Sequence, residues 1–279
     1  MSYKKSFIKN FLTSGLRILM RMETSILPGI SPNKTAFKGI TPEKRLTNID
    51  IPENRPFKLS IEGNIGAGKS TLLEYLKSIS GVEIYPEPLE QWRNLKGYNL
   101  LQYLYEDMPK WQNTFQSHVQ FTRYKIQTSA PKSPSTTVQI FERSIQNNRF
   151  CFLEMAKDSG MHPNEFAVLN EWYQWIQEIS DISLDLIVYL RSTPEKVFER
   201  TKDRGRPEET GITLDYLKKL HEYHERWLTS NNPKLNKIPV WILDADKTLE
   251  DIREQYDLLK SSLEDKGKLK MAKKSLFKD

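Results

Sequence analysis

The segment Gly63-Asn64-Ile65-Gly66-Ala67-Gly68-Lys69-Ser70 constrains this chain more than any other. Residues 57–62 before it alternate like a strand, and residues 71–79 after it carry a helical pattern that opens on Thr71. A glycine, four residues and Gly-Lys-Ser between a strand and a helix form the P-loop pattern. Glycines let backbone N–H groups turn inward around phosphate oxygens at the positive end of a helix. Lys69 then neutralises β/γ-phosphate charge, and Ser70 can ligate Mg²⁺. The segment therefore predicts binding of a nucleoside triphosphate with Mg²⁺, and it predicts a strand-turn-helix crossing in an open sheet.

The rest of the chain agrees with that crossing. Further strands are predicted at residues 82–85, 137–141, 185–190 and 240–243, each short and rich in β-branched or aromatic residues. Helices are predicted at 99–105, 111–128, 164–179 and 213–227, with Pro163 in the first turn of the third. Another helix should start at Pro194 with Thr193 as N-cap. Strands alternating with helices imply an α/β, three-layer fold: a five-stranded parallel sheet with helices on both faces. There is no internal repeat.

Charge and composition divide the chain. Residues 1–48 carry nine Lys/Arg against two Glu, residues 266–279 carry six Lys against one Asp, and the total is +6, so the body carries −6. That balance argues against a nucleic-acid groove on the body. The single cysteine, Cys151, excludes a disulfide or a cysteine-based zinc site within one chain, and its apolar neighbours mark it as a core residue. No apolar run approaches the ~20 residues of a membrane helix. Residues 1–55 read as a basic leader and a proline-rich linker, 56–263 as the domain and 264–279 as a lysine-rich tail. Residues 1–22 are basic, amphipathic and free of acidic residues, a pattern shared by mitochondrial transit peptides and by disordered basic leaders. The predicted location is mitochondrial, with a cytoplasmic one as the alternative.

Three further features suggest chemistry. Glu87 follows the second strand, and in an open α/β sheet ligands bind at the carboxyl ends of strands. A carboxylate there can take a proton from an attacking hydroxyl, or it is an ordinary surface residue. Glu142-Arg143 ends the third strand, where Glu142 can hold Mg²⁺ through water and Arg143 can stabilise phosphate charge. A structural salt bridge explains the same pair. Arg200, Arg204 and Arg206 run into a Pro/Gly loop, which suits either a lid over transferring phosphate or a solvated basic face.

Taken together, these residues resemble the deoxyribonucleoside kinase family from about residue 57 to about 252. The resemblance rests on Ile61-Glu62-Gly63-Asn64-Ile65-Gly66, Gly68-Lys69-Ser70, Pro86-Glu87-Pro88 with Trp92, Phe115-Gln116-Ser117, Glu142-Arg143-Ser144, Asp244-Ala245-Asp246 and Glu171-Trp172-Tyr173-Gln174-Trp175. It implies a three-layer P-loop kinase fold and transfer of the ATP γ-phosphoryl group to the 5′-hydroxyl of a deoxynucleoside. Glu87 would be the base, with Arg143 steadying charge beside it. Gln116 would read the nucleobase, Phe152 would stack on it, and Trp92, Phe115 and Val119 would wall the pocket. Tyr105 and Glu209 would bind the 3′-hydroxyl. The loop with Asp246 would border ATP. The resemblance also implies a homodimer, and deoxynucleoside triphosphates as feedback inhibitors.

One position departs from the thymidine-phosphorylating branch, which carries methionine where this chain has Arg123. The deoxycytidine and deoxyguanosine branches carry arginine there, partnered by aspartate; here the partner position is Asn148. Arg123 is therefore expected beside the base edge, disfavouring thymidine and favouring deoxycytidine, with purines possible. Two other functions fit parts of the sequence: a nucleoside-monophosphate kinase, and a catalytically silent kinase-like structural subunit.

Overall fold

The computed structural model describes residue 52 and residues 54–276, apart from 231 and 234, with side chains as far as 266. The leader and most of the linker lie outside the described residues.

The strands are β1 (Phe57–Gly63), β2 (Val82–Tyr85), β3 (Val138–Glu142), β4 (Leu186–Arg191) and β5 (Val240–Asp244). They form one parallel sheet in the order β2-β3-β1-β4-β5. β1 is the central strand and is buried along its whole length, polar Lys58, Ser60 and Glu62 included. Its start is anchored by Asp185, which accepts from the Lys58 backbone N–H and from Arg55, both at 2.7 Å. The β3 register pairs Ile61 with Glu142, which puts the Glu142 carboxylate level with the start of the P-loop.

Helices cover both faces, as the alternation predicts. On one face Leu59, Ile61, Val188 and Leu190 pack with Leu72 and Leu76 of α1 (Lys69–Leu76). Between β2 and β3 lie α2 (Leu89–Arg93), α3 (Leu100–Glu106) and α4 (Met108–Gln127). After β3 the chain runs through α5 (Ile145–Asn147), a π-helical turn (Asn148–Phe152) and α6 (Leu153–Lys157) into α7 (Pro163–Ile179). β4 is followed by α8 (Pro194–Arg204), a 3₁₀ turn (Pro207–Gly211) and α9 (Leu214–Leu228). On the other face Ile187 and Tyr189 pack with Leu220, Tyr223 and Trp227 of α9, and buried Cys151 joins this core as a structural residue. A smaller cluster of Trp92, Leu100, Leu101, Leu104, Phe115 and Val119 stands beside the sheet and walls the cleft.

The last helix, α10 (Leu249–Leu276), carries Tyr256, Leu259 and Leu263 into the first core. Its backbone stays helical as far as Leu276, into the lysine-rich segment from residue 264 that was expected to be a separate tail. Two other helical stretches escape the sequence pattern. α2 is one turn long. The stretch from Ile145 to Lys157 opens on Gln146, Asn147 and Asn148, which read as loop residues yet are buried. Thr193 occupies the N-cap of α8, but its side chain makes no capping bond.

Ile140 of β3 is fully buried in the first core. Ile140→Ala should lower the unfolding free energy by about 2–5 kcal/mol, measured by urea denaturation.

Candidate active site

The P-loop is held by close packing against other elements. A Cβ on Gly66 would lie 2.7 Å from Thr201 Oγ1 and from the Val197 carbonyl of α8, and Gly66 has φ +81°. Only glycine fits this contact without displacing backbone. Asn64 is buried beneath the loop, where its Nδ2 donates to the Leu217 carbonyl at 2.9 Å and its Oδ1 accepts from Ile65 N–H at 2.8 Å. Lys69 donates to the Asn64 carbonyl at 2.9 Å. Ser70 Oγ donates to Glu142 Oε1 at 2.9 Å, so the hydroxyl and carboxylate of the expected metal pair meet in the same place.

A cleft of about 680 Å³ runs from this loop towards the small helical cluster. Gly66, Ala67, Gly68, Lys69, Ser70 and Thr71 line one end. Gln116, Val119, Phe115, Trp92 and Phe152 line the other. Glu87 and Arg143 lie between them, at the ends of β2 and β3. Trp92 is fixed by its Nε1–H bond to Thr122 Oγ1 at 3.0 Å and by an edge contact to Phe115 at 5.7 Å. Tyr105, Glu209 and the three expected arginines, Arg200, Arg204 and Arg206, complete the wall. Arg204 and Arg206 both meet Glu209, at 2.5 and 3.2 Å, and Arg200 donates to the Ala245 carbonyl at 2.8 Å.

One oxygen of Glu87 meets two guanidinium groups: it accepts a hydrogen bond from Arg123 Nη2 at 2.7 Å and forms an ion pair with Arg143 Nε at 3.0 Å. Burial alone would raise its pKa, but Arg143, Arg123 and Lys69 outweigh burial and hold the carboxyl below its ordinary range. Lys69 shows the reverse balance: burial and then Arg143 draw its ammonium down to about 7, against the pull of Glu142 and Glu87. Arg143, which lines the cleft, adopts φ +61°, a left-handed backbone that is uncommon for a residue other than glycine.

Three sequence expectations are modified. The Arg123 guanidinium, expected beside the base edge, lines that end of the cleft over Trp92 and Phe152, at 5.7 and 5.8 Å, but its hydrogen bond goes to Glu87. Asn148 lies behind the cleft and donates to Gln116 Oε1 at 2.6 Å. Asp246 accepts from Ser192 Oγ and from Thr193 N–H and so ties two loops together, while its neighbour Ala245 reaches the cleft. The sequence reading also missed Tyr216, Arg253 and Tyr256 in the wall, and Asn147 and His224 behind Arg143. His224 had a signal, since it shares the helical spacing of the apolar Leu217, Leu220 and Trp227. The α10 residues had none.

An ammonium with a pKa near 7 is partly neutral at neutral pH, and a polyanion in the loop would raise that pKa. Binding of inorganic tripolyphosphate at pH 7 should therefore take up protons, seen in calorimetry as a binding heat that varies with buffer ionisation enthalpy. A buffer-independent heat would mean Lys69 is already fully charged.

The sequence model of the deoxynucleoside kinase family matches residues 59–266. Mitochondrial thymidine kinase 2 of Homo sapiens is 39% identical over 230 residues, which cover 82% of this chain and 84% of that protein. Deoxycytidine kinase 2 of Gallus gallus is 37% identical over 243 residues, 76% of this chain and 92% of its own. Deoxycytidine kinase of Bos taurus is 36% identical over 236 residues, 75% and 90% of the two chains. Likeness of this extent takes in the sheet and the residues around the cleft, and the chain belongs to the deoxynucleoside kinase family.

Proposed function

We propose that this enzyme transfers the γ-phosphoryl group of ATP to the 5′-hydroxyl of a pyrimidine deoxynucleoside, with Glu87 as the proton acceptor. The observation that carries this reading is the position of Glu87, between the Lys69 cradle and the pocket of Gln116 and Phe152. A nucleoside stacked on Phe152 and hydrogen-bonded to Gln116 would direct its 5′-carbon towards Glu87. As the new O5′–P bond forms and the bond to ADP breaks, the hydroxyl proton passes to Glu87. Arg143 stays beside the reacting oxygens and steadies their charge, and Arg200, Arg204 and Arg206 face the phosphates from the lid side. Tyr105, whose phenol burial keeps protonated, and Glu209 both line the cleft, and they would hold the 3′-hydroxyl.

The oxygen-only pair of Ser70 and Glu142 fits a hard cation such as Mg²⁺, which usually takes few protein ligands and completes its shell with phosphates and water. Bound there, the ion would neutralise phosphate charge.

A nucleoside monophosphate acceptor fits less well, because the two cations nearest the acceptor pocket, Arg123 and Arg143, are both engaged by Glu87. A silent subunit would have no need for the Lys69, Ser70 and Glu142 arrangement. Deoxycytidine and thymidine are the two candidate substrates, and an assay of ATP with the four natural deoxynucleosides ranks them. The same cleft would admit deoxynucleoside triphosphates as feedback inhibitors. A mitochondrial destination rests on the leader, and a reporter fused to residues 1–55 reads it.

Glu87→Gln should lower kcat by about 10²–10⁴-fold while ATP still binds. Near-normal turnover in this variant would remove Glu87 from the mechanism. Arg123→Met should lower turnover on deoxycytidine and thymidine alike, since the arginine meets Glu87; a gain confined to thymidine would instead place it against the base.

The family resemblance to a homodimer has a physical counterpart. Val168, Trp172, Trp175 and Ile179 form one stripe on α7, and all are about half exposed, as is Phe121 on α4. An apolar face of this kind favours a partner surface. The protein should therefore run in light scattering at twice its 32.8 kDa chain mass. Trp172→Glu should shift it towards the monomer, and a wild-type monomer at micromolar concentration would refute the dimer.

A further inference from the structure

His224 of α9 is fully buried behind the cleft, and it does not line the cleft. Its ring stacks on Tyr189, with centroids 6.0 Å apart and planes 5° from parallel. Nδ1 lies 2.7 Å from the Leu220 carbonyl oxygen. A carbonyl can only accept, so Nδ1 carries the proton. In a neutral ring Nε2 is then an acceptor, and both groups facing it are donors: Asn147 Nδ2 at 3.1 Å and Arg143 Nη1 at 3.5 Å. Burial and the charge of Arg143 both push the imidazole pKa well below its usual value, which agrees with a neutral ring.

That ring in turn decides how the Asn147 amide faces. With Nδ2 on the imidazole, Oδ1 turns to the arginines, 3.3 Å from Arg123 Nη1 and 3.5 Å from Arg143 Nη1. Both guanidinium groups end on the same oxygen of Glu87. Each contact to Asn147 is long, but they share one direction. Reversing the ring or the amide would put donor against donor or acceptor against acceptor along the chain.

We propose that His224 is a positioning residue, a neutral Nδ1–H imidazole that acts through Asn147 to fix the two guanidinium groups holding Glu87. It touches neither substrate nor the reacting atoms. It supplies a buried acceptor where an arginine-rich site would otherwise leave donors facing one another. The kinetic consequence rests on the reading of Glu87 as the base; the assignment of the ring does not.

The test combines spectroscopy and kinetics on the full chain. In protein labelled with ¹⁵N-histidine, the His224 signal is identified among the four histidines by its loss in His224→Gln. It should report a neutral ring protonated at Nδ1 from about pH 5 to pH 8, across the range in which an unperturbed histidine titrates. An imidazolium, or a proton on Nε2, would overturn the proposal. Asn147→Asp replaces the donor facing Nε2 with an acceptor, so His224 should take up a second proton and appear as imidazolium at neutral pH; an unchanged ring would count against the relay. In kinetics, His224→Leu should lower kcat by about 10- to 100-fold, the scale of a small misplacement of reacting groups, with the KM for ATP nearly unchanged. His224→Gln, whose Oε1 restores an acceptor, should recover most of that loss. Equal loss in both variants would leave only a packing role and sink the proposal. If His224→Leu does not fold, His224→Gln and Asn147→Asp still decide the matter. Normal turnover in Glu87→Gln, with the ring assignment intact, would overturn the base reading and not the relay.

Discussion

The site depends on a steric constraint in the turn that leaves the central strand. Gly63 passes so close to β4 that an added Cβ would lie 2.5 Å from the Leu190 carbonyl, and Gly66 passes nearly as close to α8, at 2.7 Å. The phosphate cradle is thus braced by the sheet on one side and by α8 on the other. α8 also carries Arg200 and Arg204, so the cradle and two of the cations above it share one rigid support. The parallel order of the sheet then brings the ends of β2 and β3, with Glu87 and Glu142, to the same edge.

Electrostatics at that edge are unbalanced by design of the sequence. Glu87 faces Arg123, Arg143 and Lys69, and the two arginines meet it directly, at 2.7 and 3.0 Å. A buried ion pair of this kind contributes little to net stability, because desolvation offsets most of the attraction. Its effect is geometric: the carboxylate stays ionised and fixed in place. The surplus cations leave the cleft with a positive end, where burial first and then the charge of Arg143 lower the pKa of Lys69. A triphosphate would relieve it.

Much of this was legible in the sequence, for reasons that differ by residue. The P-loop could be read because backbone geometry leaves few alternatives to glycine and lysine there. The five strands could be read because buried parallel strands are short apolar runs, and their ends fell within one or two residues of expectation. Glu87 and Arg143 could be located because strand ends converge. What could not be read was pairing. Arg123 was expected beside the base, and its hydrogen bond to Glu87 joins α4 to the end of β2 across 36 residues of sequence, while Asn148 bonds Gln116 instead. Asn147 and His224 are ordinary polar residues in sequence, and they acquire meaning only when α5 and α9 meet. Arg253 and Tyr256 reach the cleft from the last helix, at a distance along the chain that no local pattern spans.

The left-handed backbone of Arg143 affects how substitutions there should be interpreted. A non-glycine residue at φ +61° carries a conformational cost of about 1–3 kcal/mol. Alanine at this position would lose the guanidinium and keep that cost, whereas glycine would lose both. Comparing the two therefore separates charge from backbone, and a scan that uses alanine alone would mix them. It also follows that in a glycine variant the relief of backbone strain is set against the loss of a buried partner of Glu87, so the difference between the alanine and glycine variants, and not the stability of either alone, measures the strain at this position.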